Sequence, residues 1–415
     1  MTAIAAQPGD SRAAPSPGVA PPPGNPRFAL FDSLRGIAVL CIIAFHVSSV
    51  TGALNRGLIG DGLAVLGPQA LIQFFVISGF LLYRPFVAAH AAGRGVPSVR
   101  RYGRRRVLRI VPAYWVALTL LAIFPGIVGV FSGDWWRYYF FLQVYSSDTV
   151  GGGIPVAWSL CVEVSFYTLL PLWAIAVRHA PRGTGPRAWM WTELAGLALV
   201  GLGGIAVQVA AARNVVSDLA ATTLLGQCVW LGLGMTLAVA SVAAARGQAP
   251  RRAVRAIAAH PGLCWIGAGA AFVALTLLLR PGGLLGIVQT LVQQQPVDKT
   301  LAAIALGLAL NALLVLPAVF GEDAGGVPRR ILAAAPLAWL GLVSYGVYLY
   351  HLAVTEVLGL AEDPAHFSAS GLDLAHRIGH ATTPILFVLV VAVTAALAAA
   401  SYYVVELPFL RRKEG

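Results

Sequence analysis

Several ionisable residues occur in stretches that are otherwise apolar enough to cross a bilayer. Arg35 and His46 lie in FDSLRGIAVLCIIAFH. Glu163 lies in AWSLCVEVSFY, and His351 ends SYGVYLYH. An arginine near the middle of a membrane helix costs about 2.5–3.5 kcal/mol, so such residues usually serve a function. Imidazole and carboxylate groups can supply a general base near neutral pH and a partner that orients it. These residues are therefore candidates for acid–base chemistry within the membrane.

The spacing of Arg35 and His46 predicts that both side chains lie on one stripe of a helix. Eleven steps of about 100° bring the second residue back to within about 20° of the first, three turns and about 16 Å further on. Counting along the other segments places Glu163 and His351 at the depth of His46, in the outer half of the bilayer. Taken singly, Arg35 could snorkel and His46 could be a satisfied core residue. Together they favour a functional groove.

Composition identifies the elements that must position these residues. The 415 residues are 58% hydrophobic and 11% charged, with a mean hydropathy of +0.77. Apolar stretches of about 20 residues recur along almost the whole chain, which is typical of a polytopic membrane protein built only of helices. Ten spans are predicted, at residues 29–50, 63–89, 107–130, 154–177, 189–211, 219–243, 262–279, 301–320, 331–360 and 381–405.

The basic residues orient these spans. Arginine-rich connections follow the second, fourth and sixth spans and precede the ninth, and RRK lies near the end of the chain. All of them fall on one side if all ten spans cross. The positive-inside rule makes that side the cytoplasm, so both termini are predicted to be cytoplasmic in a multi-pass plasma-membrane protein. The net charge of +12 therefore reports orientation. Nucleic-acid binding is excluded because no soluble basic module exists to carry it.

Three further segments complete the predicted organisation. DWWRYYFFLQVYSSD, from Asp134 to Asp148, is too short to cross and too aromatic for a simple loop, which predicts an interfacial or re-entrant helix on the outer side. Residues 1–26 are rich in proline, alanine and glycine and are expected to form a disordered tail. Residues 27–412 are predicted to form one membrane domain. The four cysteines show no metal-ligand or disulfide spacing, and no metal is expected.

A cluster of arginines begins the third span, in RRYGRRRVLRIVPAYW. A topology anchor is the default explanation for such a run. Arg109, however, lies past the cluster toward the lipid, and the guanidinium group suits bidentate contact with phosphate. The phosphates of a nucleotide-bearing cofactor would be natural partners for Arg105, Arg106 and Arg109.

The order of these segments resembles the membrane acyltransferase 3 family, whose members O-acylate sugars and other hydroxyl acceptors. The resemblance covers nearly everything from Phe28 to Arg412 and rests on LRGIAVL with the Arg35 to His46 spacing, FFVISGFLL, RRVLRIVPAYW, WSLCVEVSFY, SYGVYLYH and VVELPFLRR. It implies an essential first-span histidine, His46. The recurring polar residues of the family then fall on the following positions: Arg35, Arg105, Arg106, Arg109 and Glu163.

Two departures from the family pattern are visible. Where relatives commonly carry an aspartate two residues before the FF pair, this chain has Ile72, followed by Gln73. Some relatives also have a soluble hydrolase-like domain after the last span, whereas this chain stops at Gly415. The role of that aspartate is therefore open, and transfer is expected to finish within the membrane domain or to involve a separate protein.

These observations lead to a prediction of mechanism. Acyl-CoA, expected to be acetyl-CoA, docks from the cytoplasm near the arginines of the third span, and its thioester arm passes Arg35. His46 acts as general base on a hydroxyl of a carbohydrate or glycosylated acceptor, and Glu163 orients it or binds the acceptor. Substrate binding is assigned to His351, Trp158 and Tyr167. The alternative is a transporter or flippase of an anionic solute, which would also use membrane-buried arginine, histidine and glutamate.

Overall fold

The computed structural model describes residues 28–180, 185–283, 295–321, 325–359 and 383–411. The tail predicted over residues 1–26 lies outside these ranges, and so does residue 412, where the membrane domain is predicted to end. Within the described ranges every regular element is helical. The predicted limits of the domain and the cytoplasmic orientation of the termini stay predictions.

Among the described residues, ten helical segments are long and apolar enough to cross a membrane, which confirms the predicted number of spans. The spans are α1, α2, α3, α5, α6, α7 with α8, α10, α11, α13, and α14 with α15. The helices are α1 (Leu30–Val50), α2 (Gly57–Ala91), α3 (Val99–Ile123), α4 (Trp135–Tyr139), α5 (Trp158–His179), α6 (Ala188–Ala212), α7 (Asp218–Thr222), α8 (Leu224–Ala245), α9 (Arg251–Ala259), α10 (Pro261–Leu279), α11 (Val297–Val319), α12 (Val327–Leu332), α13 (Ala335–Gly359), α14 (Thr383–Ser401) and α15 (Leu407–Arg411). A π-helical turn, Tyr402–Glu406, joins the last two.

The third span differs most from its predicted limits of 107–130. Helix α3 begins at Val99, where the Ser98 hydroxyl accepts a hydrogen bond from the backbone N–H of Arg101, so the whole arginine cluster is helical. The helix ends at Ile123, because Pro125 disfavours helical backbone in the residue before it and cannot donate a backbone hydrogen bond. All the basic residues of this segment therefore share one helix with the apolar half of the span.

The aromatic segment after α3 folds back against that helix. The backbone carbonyl of Tyr138 accepts a hydrogen bond from the Tyr114 hydroxyl at 2.9 Å, and the Trp115 indole donates to the carbonyl of Tyr139 at 2.8 Å. Tyr114 lies nine residues before Ile123, so α4 contacts α3 about 14 Å below its end. Non-helical backbone is tolerated at such depth where protein surrounds it. The segment therefore forms part of the interior wall of the bundle.

Close approach of α2 and α8 fixes the position of α2. A Cβ atom on Gly79 would overlap the carbonyl oxygen of Leu231, and one on Gly234 would overlap that of Val76. Each glycine thus lets the backbone of the facing helix approach, as small residues do at helix contacts in membranes. Because Ser78 precedes Gly79, this contact also fixes where the Ser78 hydroxyl lies.

Helices α1 and α13 approach in the same way. A Cβ atom on Gly36 would overlap the carbonyl oxygen of Leu337, and one on Gly341 would overlap that of Asp32. The neighbouring Arg35 is therefore held against the helix that carries SYGVYLYH.

Replacing Gly234 by alanine should lower the thermal stability of the detergent-solubilised protein, because the added methyl group must push α8 away from α2. Overpacking of this kind costs about 1–3 kcal/mol. Gly232→Ala on the same helix is the matched control, since a Cβ atom there meets open space. The melting temperature, measured by size-exclusion chromatography after heating, should fall for Gly234→Ala and not for Gly232→Ala. Equal melting of the two variants would contradict the assigned contact.

Candidate functional site

A cavity of about 210 Å³ lies among α1, α2, α3, α5 and α13. Five spans therefore contribute to its wall. Its lining residues are Arg35, Leu71, Phe74, Phe75, Ser78, Leu81, Leu82, Arg106, Arg109, Ile110, Ser159, Leu160, Glu163, Tyr167, Ser344, Tyr345 and Tyr348. Apolar side chains of α2 form one part of this wall, and the charged and hydroxyl-bearing residues form most of the rest.

Three guanidinium groups converge on this cavity. Arg106 and Arg109 are three residues apart and therefore share a face of α3, while Arg35 enters from α1. The Arg35 side chain is 17% exposed and pairs with Asp32, Nη1 to Oδ1, at 3.5 Å. The Nε atom of Arg106 is buried and has no hydrogen-bond partner within the described part of the chain. A guanidinium with a buried, unused donor is the feature expected of a site that binds an anion.

Glu163 supplies the carboxylate among the lining residues. Its Oε1 accepts a hydrogen bond from the Ser78 hydroxyl at 2.9 Å, and its Oε2 accepts one from the Tyr167 hydroxyl at 2.5 Å. The carboxylate is thus held by α2 and by its own helix. Three cations and one anion among the described lining residues leave an excess of positive charge on the cavity wall.

Tyrosines of α13 close the cavity on another side. The Tyr345 hydroxyl donates to the backbone carbonyl of Ile110 at 2.9 Å. The Tyr348 hydroxyl lies 2.7 Å from Ser159 Oγ and also contacts the carbonyl of Val156. Only the histidine of SYGVYLYH was predicted from the sequence. The signal that could have identified the tyrosines was their spacing. Residues at intervals of three lie on one side of a helix, as Tyr345, Tyr348 and His351 do.

His46 and His351 form a pair beyond Tyr348. Their ring centroids are 5.1 Å apart, and the ring of Tyr348 lies 5.9 Å from that of His351. His351 is fully buried, and its Nδ1 lies 2.8 Å from the backbone carbonyl oxygen of Tyr348. Because a carbonyl can only accept, Nδ1 carries the proton and Nε2 presents a lone pair. That Nε2 atom has no partner among the described residues.

The structure thus separates the predicted residues into two groups. Arg35, Arg106, Arg109, Glu163 and Tyr167 are brought together at the cavity. The two histidines meet each other but are not among the residues described as lining it, and Tyr348 lies between them and the cavity.

Two other predicted site residues lie away from the cavity wall. Arg105 is half-buried on α3 and is not one of the described lining residues. Trp158 packs against the hydrophobic core clusters on both sides of α5. Their roles in donor and substrate binding stay predictions.

A second buried polar network was not predicted from the sequence. Glu193 accepts a hydrogen bond from Tyr83, and its Oε1 lies 2.7 Å from His90 Nδ1. The Trp173 indole donates to the Tyr83 hydroxyl at 3.0 Å. The network links α2, α5 and α6. A glutamate within the apolar fifth span was the available signal.

Comparison with known proteins agrees with these features. A family profile described as an acyltransferase domain matches residues 28–403. The chain belongs to the membrane acyltransferase 3 family. It is therefore a multi-pass membrane acyltransferase. No solved structure matches the chain.

Two relatives illustrate the range of the family. The acyltransferase MdmB of Streptomyces mycarofaciens is 27% identical over 378 residues, covering 85% of this chain and 88% of that protein. The peptidoglycan O-acetyltransferase OatA of Listeria monocytogenes is 24% identical over 155 residues, covering 34% of this chain and only 23% of its own length.

Glu163→Ala should destabilise the protein, because it removes the acceptor of two partly buried hydrogen bonds and the carboxylate facing three guanidinium groups. A buried polar group left without a partner costs about 1–3 kcal/mol. Glu163→Gln keeps a hydrogen-bond acceptor, so its melting temperature should fall less than that of Glu163→Ala. Thr168→Ala, at an exposed position of the same helix, should melt like the wild type. Melting of detergent-solubilised variants checks this, and an unchanged midpoint for Glu163→Ala would contradict the described network.

Proposed function

We propose that the protein is an O-acyltransferase that moves an acyl group, expected to be acetyl, from cytoplasmic acyl-CoA to a hydroxyl of a carbohydrate or glycosylated acceptor. The observation that carries the proposal is the convergence of Arg35, Arg106 and Arg109 on one membrane-embedded cavity. Membership of the acyltransferase family supports group transfer rather than transport. The peptidoglycan O-acetyltransferases among the relatives support a carbohydrate acceptor.

The cavity fits the thioester end of the donor. Its volume of about 210 Å³ is below the range of about 300–1,000 Å³ that sites for whole drug-sized ligands occupy. The nucleotide of CoA therefore stays at the mouth, where its phosphates accept hydrogen bonds from the guanidinium groups of Arg106 and Arg109. Arg105 adds positive charge on the same helix. Apolar residues such as Leu71 and Phe74 pack against the pantetheine arm.

Transfer then occurs next to the histidine pair. His46 takes the proton of the acceptor hydroxyl as its oxygen attacks the thioester carbonyl carbon; the carbon–sulfur bond breaks and CoA leaves as the thiolate, which takes up a proton. Because Tyr348 lies between the cavity and the imidazoles, its side chain turns aside as the acyl group advances.

The remaining predicted residues are placed around this path. His351 presents its free Nε2 to the acceptor, so His351→Gln should raise the acceptor KM and leave the donor KM unchanged. Glu163 hydrogen-bonds Ser78 and Tyr167 rather than His46 among the described residues. Of its two predicted roles, binding of substrate is therefore favoured over orientation of the base. Tyr167 and Trp158 complete the proposed substrate-binding set, and the arginine-rich side of the bundle faces the cytoplasm.

His46→Ala should reduce CoA release by about 10²–10⁴-fold, which is the contribution of a positioned general base. The assay uses protein reconstituted in liposomes with acetyl-CoA and a panel of oligosaccharide acceptors. His179→Ala is the matched control, because His179 is exposed at the end of α5. More than about a tenth of wild-type turnover in folded His46→Ala protein would exclude the base assignment. Solute uptake by wild-type vesicles without CoA release would favour the transporter alternative.

Arg106→Ala and Arg109→Ala should each weaken CoA binding and reduce the salt dependence of the affinity, since each removes a charge that contacts phosphate. Arg101→Ala is the control, because Arg101 is exposed on the same helix outside the cavity. Isothermal titration with CoA at two salt concentrations measures both effects. Wild-type affinity in both cavity variants would assign these arginines to topology alone.

A further inference from the structure

A second cavity, of about 330 Å³, lies among α1, α2, α10 and α11. It occupies the opposite side of the α1–α2 pair from the first: Ala70 and Gln73 of α2 line it, whereas the neighbouring Leu71 and Phe74 line the first cavity. Its volume falls within the range of about 300–1,000 Å³ found for small-molecule sites. Within the described ranges its lining is apolar except for two glutamine side chains, and no charged side chain reaches it.

Gln73 is the unusual member of this lining. It is 4% exposed, and neither its Oε1 nor its Nε2 has a hydrogen-bond partner among the described residues. Gln69, one turn earlier, differs because its Oε1 accepts a hydrogen bond from Asn311 at 2.9 Å. Burying an amide without partners is unfavourable, so a group that supplies those partners would be bound with a gain in free energy. A single hydroxyl group could satisfy both atoms of Gln73, since it donates to Oε1 and accepts from Nε2.

The position of Gln73 restricts where such a group can come from. Gln73 lies 16 residues after Gly57 and 18 before Ala91, so it is near the middle of α2 and of the bilayer. Helix α10 is among the least buried spans, and its Gly269, which lines the cavity, is exposed. Access is therefore from the hydrocarbon phase. The tail of an ordinary glycerolipid carries no polar atom at this depth, and a phosphate would find no cation among the described lining residues.

We propose that this second cavity binds a neutral lipid alcohol, with the hydroxyl held by the Gln73 amide and the hydrocarbon body packed among residues such as Trp265, Phe272 and Leu310. The site is separate from the proposed donor cavity and does not depend on the proposed reaction. It also gives a physical role to the glutamine that follows Ile72, at the position where the family pattern is interrupted.

A photoreactive long-chain primary alcohol, carrying a diazirine and an alkyne, tests the proposal on the full chain in liposomes. Irradiation and peptide mass spectrometry should place the label on residues 34–41, 66–73, 265–272 or 310–314. Unlabelled alcohol of the same length should compete, and the matching alkane and alkyl phosphate should not. Gln73→Leu should reduce labelling by about three- to ten-fold, because it removes the net binding free energy of one or two hydrogen bonds.

Two variants keep the test decisive. Thr394→Val is the matched control, because the Thr394 hydroxyl is also buried without a described partner but lines no described cavity; its labelling should equal that of the wild type. Gly269→Leu should block labelling with the fold intact, since a Cβ atom there meets nothing within 4 Å. Unchanged labelling in both Gln73→Leu and Gly269→Leu would overturn the proposal, and so would equal competition by the alkane. The partner of the Gln73 amide would then be assigned to water.

Discussion

The structure depends on keeping three guanidinium groups and a carboxylate at membrane depth without exposing them to lipid. Charges in hydrocarbon are tolerated only when they face the interior of a bundle or a polar cavity. Arg106 and Arg109 are brought inward by the face of α3 that they share, and Arg35 by the contact of α1 with α13. Their mutual repulsion is offset only in part by Glu163. A cavity built in this way favours a ligand with several negative charges, and the phosphates of the proposed donor, CoA, would supply them.

The histidine pair shows how the same bundle serves a different kind of chemistry a short distance away. His351 is fixed by its backbone hydrogen bond in the tautomer that leaves Nε2 free, and it lies against His46. Tyr348 separates this pair from the charged cavity. In the proposed mechanism this arrangement keeps the base apart from the donor site until the acyl group arrives. The aromatic segment after α3 packs against the start of α5.

Much of this organisation was predictable from the sequence, for physical reasons. Ten apolar stretches of sufficient length can only cross the membrane, and ionisable residues within them must face inward, so the amino-acid sequence alone predicted that Arg35, Arg109 and Glu163 line the interior. It placed Glu163 at the depth of His46, however, whereas the structure places it in the cavity with the arginines. The depth counted along each helix also predicted that His46 and His351 lie at a similar level, and their rings are 5.1 Å apart. Periodicity along one helix cannot, however, show which side chain of a neighbouring helix lies between two groups. The position of Tyr348 depends on the rotation of α13 against α1, which the contact of Gly36 and Gly341 fixes.

The depth of the aromatic segment and the second cavity were unpredictable for a related reason. The contact of the aromatic segment with α3 depends on hydrogen bonds from Tyr114 and Trp115 to backbone far along the chain. The unsatisfied state of Gln73 likewise depends on the distance between two helix pairs. Both features arise from packing between distant segments, which leaves no local pattern in the sequence.

A cryo-electron microscopy map of the detergent-solubilised protein with saturating CoA tests the central claim most directly. The account predicts density for the pyrophosphate against Arg106 and Arg109, with the thiol end inside the cavity and directed toward Tyr348. An empty cavity at saturation, or CoA bound on another face of the bundle, would contradict it.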